Sequence, residues 1–283
     1  MKEDKFFKIL GTTKEELNCI LFEIDTFYTE WKRDKLDNKT GTPRKDKDGN
    51  ILYRKIYPSS GRLKEIQRSL RTKILNKITY PDYIQGGVKG KSFATNARLH
   101  KGKKYKFCTD LKQFFPSVTN KLVFKALKMQ GFNTTIASYI TKLTTYKGFI
   151  PQGTSTADAL ANLVFYHLKD KEIYQLCQTH NITYSRYIDD LIFSSSTCFK
   201  PVTLIIVNII KQDDIFRINH RKTTYTSSPV EITGVLTKNN LIDVPSIWHL
   251  KIEDPSRSEK SIEGLKNNRK YIRRISKQRG NLN

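Results

Sequence analysis

The chain has 283 residues, of which 51 are lysine or arginine and 27 are aspartate or glutamate, giving a formal net charge of +24. That excess indicates a polyanionic partner, nucleic acid first and an anionic membrane surface second, with a merely basic cytosolic protein as the remaining alternative. With 14 tyrosines and 15 phenylalanines, the composition excludes a disordered polyelectrolyte and favours a folded chain.

The sequence carries no pattern typical of a secreted or membrane protein. Its start, MKEDKFFKIL, lacks the apolar core of a signal peptide. Its most apolar run, VTLIIVNII at 202–210, is shorter than the roughly 18 residues of a membrane span. The four cysteines lie far apart without a CxxC pair, so their spacing favours neither zinc ligation nor a disulfide framework. We therefore expect a cytoplasmic protein with no membrane partner.

The predicted elements alternate irregularly between helix and strand along the chain. Apolar periodicity predicts helices over about 14–27, 61–78, 120–145, 155–177, 201–213 and 258–280. Strand patterns occupy 51–57 after a tight KDGN hairpin, 104–109, 185–195, and two short strands around an Asn-Asn turn in 230–244. This order predicts an α+β fold rather than a doubly wound α/β fold.

Two adjacent acids, Asp189 and Asp190, interrupt a segment, SRYIDDLIFSSS, whose other residues suit a buried strand. A third acid, Asp110, ends another predicted strand, and the three carboxylates converge if the two strands are neighbours. Like charges this close do not all stay ionised without compensation, which a divalent cation supplies. Two such ions about 3.5–4 Å apart stabilise a phosphoryl transfer, so the acids predict a two-metal site.

The residues alone also leave simpler interpretations open. An aspartate at a strand end is often a turn or cap residue, and an Asp-Asp pair at a hairpin tip is often a solvated turn. Successive side chains of a strand also point to opposite faces. We therefore expect Asp189, together with Asp110, to bind metal more directly than Asp190.

The surroundings of these acids are similar to the motifs of reverse transcriptases, in the family's order. FCTDLKQFFPSV resembles the first palm motif, IPQGTSTADALANL the PQG motif, YIDD the Tyr-x-Asp-Asp hairpin, and INHRKT the lysine motif that follows. Upstream, KDGNILYRKIY resembles the hairpin of the fingers. Together these motifs cover most of the chain, from residue 40 to residue 236.

The resemblance implies a role for each matching residue. The three aspartates would hold the catalytic metal ions, and Lys222 would lie near the departing pyrophosphate as a general acid. Phe115 would be the steric gate that excludes a ribose 2′-hydroxyl. Nucleotide binding is implied for Arg54, Leu111, Phe115, Gln152 and Gly153, with Lys45 or Lys47 as helpers to Arg54.

The PQG segment departs from the family pattern. The family has two prolines and a serine where this chain has Ser155, Ala157 and Asp158, whereas Leu160 and Asn162 match. We expect Asp158 to be an acid in the first turn of a helix, favoured by the helix dipole, rather than a fourth metal ligand.

Two further segments resemble retron reverse transcriptases. Asn96 and His100 in ATNARLH match the NAxxH signature, and Ile232-Thr233-Gly234 is similar to the VTG motif before the thumb. By themselves, His100 is equally a capping or core histidine, and the basic tail is equally a solvated helix face. Contacts with nucleic acid are implied for Asn96, His100, Lys266, Arg269, Lys270, Arg273 and Arg274, and Lys277 extends this basic face.

A retron reverse transcriptase is a right-hand polymerase of α+β class. Its palm has a ferredoxin-like sheet that carries the YIDD hairpin, and its thumb is short and helical. The resemblance implies N-terminal helices and fingers at 1–103, a palm at 104–245 with a fingers insertion near 120–150, and a thumb at 246–283. No RNase H, integrase or maturase segment is expected.

The function that the resemblance implies is RNA-directed synthesis of single-stranded DNA on a structured non-coding RNA. The cofactors would be two Mg²⁺ ions, with Mn²⁺ as an alternative. The partners would be that RNA, dNTPs, the RNA–DNA product duplex and a defence effector protein, in a setting of anti-phage defence. The alternatives are another prokaryotic defence-associated or group II intron-like reverse transcriptase, and a non-catalytic RNA-binding protein on a decayed polymerase scaffold.

Overall fold

The structure is a computed structural model, and it describes residues 1–37, 40–238 and 240–278. The chain forms two compact units, each assembled from segments that lie far apart in the sequence. The first unit contains Met1–Thr79 and Gln113–Leu168, and the second contains Tyr80–Lys112 and the described residues from Lys169 onward. The predicted division into fingers, palm and thumb stays a prediction.

Helices and strands alternate irregularly, as expected for an α+β chain. The α-helices of the described residues are α1 (Glu3–Leu10), α2 (Lys14–Phe22), α3 (Gly61–Lys73), α4 (Phe93–Leu99), α5 (Phe114–Ser117), α6 (Asn120–Met129), α7 (Thr134–Thr144), α8 (Ala157–Phe165), α9 (Lys171–Thr179), α10 (Val202–Lys211), α11 (Ile247–Glu253) and α12 (Glu259–Lys277). The β-strands are β1 (Trp31–Asp34), β2 (Tyr53–Ile56), β3 (Tyr105–Asp110), β4 (Thr183–Tyr187), β5 (Asp190–Ser195), β6 (Thr224–Thr226), β7 (Val230–Ile232), β8 (Val235–Thr237) and β9 (Ile242–Asp243). Within the described ranges, none of the helices is both long and apolar enough to cross a membrane.

Three predicted elements differ from the structure. The helix expected at 120–145 is two helices, α6 and α7. The helix expected at 155–177 is interrupted by a π-helical turn at Tyr166–Asp170, between α8 and α9. The segment 230–244 forms three strands instead of two, because Thr233 and Gly234 adopt positive φ and make a tight turn between β7 and β8. Asn239 of the predicted Asn-Asn turn lies outside the described residues. The spacing of hydrophobic residues does not predict a π-helical turn or a residue with positive φ.

The first unit contains a buried helix and an exposed ribbon. Leu63, Ile66 and Leu70 of α3 have no solvent exposure, as their helical spacing predicts. Strands β1 and β2 pair antiparallel, and both are largely exposed. The KDGN turn before β2 is stabilised by Asp46, whose carboxylate accepts hydrogen bonds from the backbone amides of Asp48 and Asn50.

The second unit is organised by an antiparallel sheet with the strand order β4-β5-β3-β6. In its two central strands Phe107 of β3 lies opposite Phe193 of β5, with ring centroids 5.6 Å apart. A second sheet, β7-β8-β9, packs with α4 and α12 around a buried cluster that includes Ala97, Ile232 and Ile275. The apolar residues of β3 and β5 hold these strands in register, and that register places the acids at one end of the sheet.

Candidate active site

The three predicted acidic residues meet at one end of the four-stranded sheet. Asp110 is the last residue of β3 and Asp190 is the first residue of β5, and the strand register pairs the two directly. Directly opposed residues of antiparallel strands share a face, so these carboxylates are neighbours. Asp189 lies in the preceding turn, and one carboxylate oxygen from each of the three residues falls within 4.8 Å of the other two.

The turn between β4 and β5 explains why both adjacent acids reach Asp110. Ile188 adopts a φ of +59°, so the alternation of strand side chains stops before Asp189. The ranking of Asp189 above Asp190 as a metal ligand assumed that alternation, which this turn does not follow. The carbonyl oxygen of Asp189 accepts a hydrogen bond of 2.9 Å from the backbone amide of Leu111. Leu111 itself is buried, and its predicted role in nucleotide binding stays a prediction.

The acidic cluster brings three carboxylates close together. The half-buried position of Asp190, followed by the charges of Asp189 and Asp110, raises the pKa of Asp190 to about 7, and Lys222 opposes this rise. The ammonium of Lys222 lies 2.7 Å from Oδ2 of Asp110. Repulsion between carboxylates this close favours the binding of positive charge.

The donor set fits a divalent metal ion. Each of the three residues offers a carboxylate oxygen, and oxygen ligands of this kind favour hard cations such as magnesium, calcium and manganese. The three aspartates could therefore hold such an ion, and its charge would relieve the repulsion that raises the pKa of Asp190.

Asn219 also belongs to this site, although the sequence analysis singled out only Lys222 from INHRKT. The side-chain amide of Asn219 donates to Oδ1 of Asp110 at 3.1 Å, and its backbone amide donates to the carbonyl oxygen of Asp110 at 2.7 Å. A short 3₁₀ turn, His220–Lys222, brings Asn219 and Lys222 to the same carboxylate. The sequence feature that could have identified Asn219 as a site residue is its position three residues before Lys222.

Four residues predicted to bind nucleotide lie in the first unit. Phe115 is half-buried in α5, and Arg54 is exposed on β2. The carbonyl oxygen of Gln152 accepts a 2.8 Å hydrogen bond from the backbone amide of Tyr57, just after β2. Gly153 has a φ of +106°, a backbone conformation that favours glycine. The PQG loop is thus held next to the ribbon of β1 and β2, and nucleotide binding by these residues stays a prediction.

The ribbon of β1 and β2 places like charges opposite each other. Lys32 faces Lys55, and Arg33 faces Arg54 across the two strands. Glu30 compensates Lys55 at 2.9 Å. Directly opposed like charges destabilise a strand pair, so this ribbon is electrostatically suited to a polyanion.

Asp158, one of the departures from the PQG pattern, lies in the first turn of α8, as predicted. It is exposed, and its carboxylate is not part of the acidic cluster.

Asn96 and His100 lie in the interior of the second unit, and neither has any solvent exposure. Oγ of Ser185 donates to Oδ1 of Asn96 at 2.6 Å and lies 2.7 Å from Nε2 of His100. Nδ1 of His100 lies 2.7 Å from Oγ of Ser194. His100 therefore binds β4 and β5, and Asn96 binds β4. Both side chains are occupied inside the protein, and direct contact with nucleic acid stays a prediction.

The hydrogen bonds also assign the proton of His100. Ser185 has one hydroxyl proton, which it donates to Asn96, so His100 donates from Nε2 and accepts from Ser194 at Nδ1. Burial, aided by the charges of Lys106 and Lys103, lowers the pKa of His100 to about 3. His100 is thus a neutral core histidine.

The NAxxH and Ile-Thr-Gly segments contact each other. The side-chain amide of Asn96 donates to Oγ1 of Thr233 at 3.4 Å, and that hydroxyl donates to the carbonyl oxygen of Phe93 at 3.2 Å. Gly234 follows in the turn with a φ of +81°. The two segments together connect α4 with the sheet of β7, β8 and β9.

The basic residues predicted to bind nucleic acid lie on α12. Its apolar face is buried through Ile272 and Ile275, which leaves the basic side chains on the opposite face or beside it. Arg273 forms an ion pair of 3.1 Å with Asp243. The residues in question are Lys266, Arg269, Lys270, Arg273 and Arg274, with Lys277 in the last turn. Binding by them stays a prediction.

Comparison with known proteins agrees with this site. Residues 45–237 match the family model described as reverse transcriptase (RNA-dependent DNA polymerase), and the chain therefore belongs to the reverse transcriptase family. Within the family it is of the retron type found in prokaryotes, since its curated relatives include several retron reverse transcriptases.

Two of these relatives show the extent of the similarity. The Retron Se72 reverse transcriptase of Salmonella heidelberg (strain 579083-10) is 27% identical over 248 residues, which cover 84% of this chain and 62% of that protein. The Retron Ec86 reverse transcriptase of Escherichia coli is 32% identical over 195 residues, which cover 68% of this chain and 60% of that protein. The matched part of this chain thus spans less than two thirds of either relative.

A solved structure supports the fold. The telomerase of Candida albicans, in complex with a TWJ fragment of telomeric RNA, aligns with a TM-score of 0.52 and 12% identity, covering 84% of this chain and 49% of that one. This likeness shows the fold alone, and it agrees with the predicted class of right-hand polymerase.

Proposed function

We propose that this chain is an RNA-directed DNA polymerase of the retron type, which synthesises single-stranded DNA from a structured non-coding RNA. The observation that carries the proposal is the convergence of Asp110, Asp189 and Asp190 within 4.8 Å, with Lys222 at 2.7 Å from Asp110. The proposal also includes a cytoplasmic role in anti-phage defence with an effector protein, as the retron-like motifs imply.

The proposal includes two Mg²⁺ ions held by the three aspartates, with Mn²⁺ as an alternative. When bound, such ions stabilise the attacking and leaving oxygens of a phosphoryl transfer. The chain's own residues prepare the site: paired strands present Asp110 and Asp190, and the turn presents Asp189. Asn219 and Lys222 each hold one oxygen of the Asp110 carboxylate, which orients it.

The remaining predicted residues would act on the nucleotide and the nucleic acid. Lys222 is half-exposed and carries a proton that it could deliver to the departing pyrophosphate. The opposed cations of β1 and β2, Arg54 among them, suit the triphosphate of an incoming dNTP. The basic face of α12 suits the phosphates of an RNA–DNA duplex.

Template-directed primer extension tests this function. With a primed RNA, dNTPs and Mg²⁺, the wild-type protein is expected to extend the primer, and Asp189→Ala is expected to abolish extension without unfolding the protein. Glu172→Ala is the matched control, because Glu172 is an exposed acid of α9 that belongs to the same unit.

Two results would overturn the proposal. Extension by a double variant of Asp110 and Asp189 would show that the acidic cluster is not the catalytic site. Tight RNA binding by the wild-type protein with no nucleotide incorporation would favour the non-catalytic alternative. The retron type is tested separately by sequencing the nucleic acid that copurifies from the native host, which is expected to be a branched RNA–DNA molecule encoded beside the gene.

A further inference from the structure

A fully buried ion pair lies next to the turn that carries Asp189. Arg186 of β4 and Asp170, the last residue of the π-helical turn, both have no solvent exposure. Nη2 of Arg186 donates to Oδ2 of Asp170 at 2.7 Å, and its Nε lies 3.1 Å from each carboxylate oxygen. The hydroxyl of Tyr184 donates to Oδ1 of Asp170 at 2.6 Å. These contacts give the guanidinium one fixed orientation.

The same guanidinium reaches the turn. Nη1 of Arg186 donates to the carbonyl oxygen of Ile188 at 2.9 Å. Ile188 is β-branched and has a φ of +59°, a conformation that such residues rarely adopt and that the surrounding structure must hold. Because Leu111 binds the next carbonyl oxygen, that of Asp189, both carbonyl groups of the turn are held by hydrogen bonds from the protein.

Gly86 holds the turn from another direction. The segment around it runs beside β4, and the carbonyl oxygen of Arg186 accepts hydrogen bonds from the amides of Gln85 at 2.8 Å and Gly86 at 3.3 Å. A Cβ atom on Gly86 would lie 2.5 Å from the backbone nitrogen of Ile188 and 2.8 Å from the carbonyl carbon of Tyr187. These are backbone atoms, so any side chain at position 86 would displace the turn itself.

We propose that Arg186, Asp170 and Gly86 are positioning residues for the acidic cluster. They hold Ile188 in its left-handed conformation, and thereby set where the carboxylates of Asp189 and Asp190 lie relative to Asp110. The inference rests on the proposed function, since it concerns the same metal site. It also explains why the chain buries two charges here, because burying an ion pair is not by itself an efficient way to stabilise a fold.

Binding of Mn²⁺ alone to metal-free protein tests the inference, measured by titration calorimetry and by electron paramagnetic resonance of the bound ion. Gly86→Ala is expected to weaken Mn²⁺ binding by about 10-fold to 100-fold, the usual effect of disturbing residues that orient metal ligands. The same variant is expected to change the resonance spectrum, and to lower kcat of primer extension while KM for the primed template stays constant.

The control and a milder variant separate positioning from folding. Gly264→Ala makes the same change on α12, where a Cβ atom meets nothing within 4 Å, and is expected to bind Mn²⁺ as the wild type does. Tyr184→Phe removes only the hydroxyl that holds Asp170, and is expected to weaken Mn²⁺ binding about threefold, as for one lost hydrogen bond.

Each outcome bears on a different claim. Wild-type Mn²⁺ affinity and spectrum in folded Gly86→Ala would overturn the inference. If that variant does not fold, unchanged binding by Tyr184→Phe would overturn it instead. In both cases the proposed function stands, provided that Asp110→Ala loses Mn²⁺ binding. Absence of Mn²⁺ binding by the wild-type protein would overturn the inference and the metal site together.

Discussion

Two polar clusters of the second unit involve the same four-stranded sheet, and they differ in the charge that they bring together. Both ring nitrogens of His100 and both ends of the Asn96 side chain have protein partners, and burial keeps the histidine neutral. At the acidic cluster three carboxylates lie close together, and the pKa of Asp190 is raised to about 7 by partial burial and by the other two acids. The first cluster is complete within the fold, whereas the second brings together like charges whose repulsion a cation would relieve. A complete buried cluster stabilises a fold, and a cluster of like charges with a perturbed pKa indicates a binding site.

The largest expected difference between the clusters is the loss of primer extension when Asp190 is substituted. Asp190→Asn is expected to lower primer extension about 10³-fold, since metal ligation contributes several kcal/mol to phosphoryl transfer. Its thermal stability is expected to equal or exceed that of the wild type, because one of three repelling charges is gone. Primer extension and thermal unfolding measure the two effects. An active Asp190→Asn protein, or one that unfolds more easily, would contradict the contrast drawn between the clusters.

The opposite pattern is expected at His100. His100→Ala is expected to lower the free energy of unfolding by about 2–4 kcal/mol, because it leaves a cavity and removes a hydrogen-bond partner from Ser185 and Ser194. Denaturant unfolding measures this, with the exposed His249→Ala as the control, expected within about 0.5 kcal/mol of the wild type. Wild-type stability of His100→Ala together with weaker RNA binding would instead support a direct contact with nucleic acid.

The protonation of His100 is also expected to make the stability of the protein depend on pH. Its pKa in the folded protein is about 3, below the ordinary histidine value of 6.5, so the unfolded chain binds a proton more readily between these values. The contribution of His100 is therefore complete above pH 6.5 and is lost as the pH falls, at about 1.4 kcal/mol per pH unit. Comparing the wild type with the non-titrating His100→Gln by denaturant unfolding isolates this slope. Equal slopes in the two proteins would show that His100 is not buried neutral.

The smallest expected effect concerns the basic face of α12. Lys270 is exposed, whereas Arg273 is paired with Asp243 at 3.1 Å. Lys270→Ala is expected to reduce the slope of log affinity against log salt by about one for an RNA–DNA duplex, as for one lost phosphate contact. Arg273→Ala should change that slope less. Fluorescence anisotropy over a range of salt concentrations measures both, and a larger change for Arg273→Ala would reverse the assignment.

Sequence reasoning succeeded where a residue's type and its neighbours along the chain carried the information. The strand before Asp110, the hairpin around Asp189 and Asp190, and the buried face of α3 were all predicted from local pattern. For His100 it left a core histidine and a contact with nucleic acid both open, because the NAxxH signature does not report whether a side chain faces solvent. It also missed Asn219. The role of this residue depends on a hydrogen bond to Asp110, which lies far from it in the sequence.

The sequence by itself determined the class of this protein, many of its helices and strands, and the identity of the three acids. Hydrophobic period, turn residues and motif order are properties of neighbouring residues. Tertiary structure alone decided that the carboxylates of Asp189 and Asp190 both lie near Asp110. The left-handed conformation of Ile188 and the pairing of Asp110 with Asp190 depend on strands brought together from distant segments. It also decided that Arg186, Asp170 and Gly86 lie against that turn. Close approach and burial are relations between segments far apart in the chain, and local patterns do not encode them.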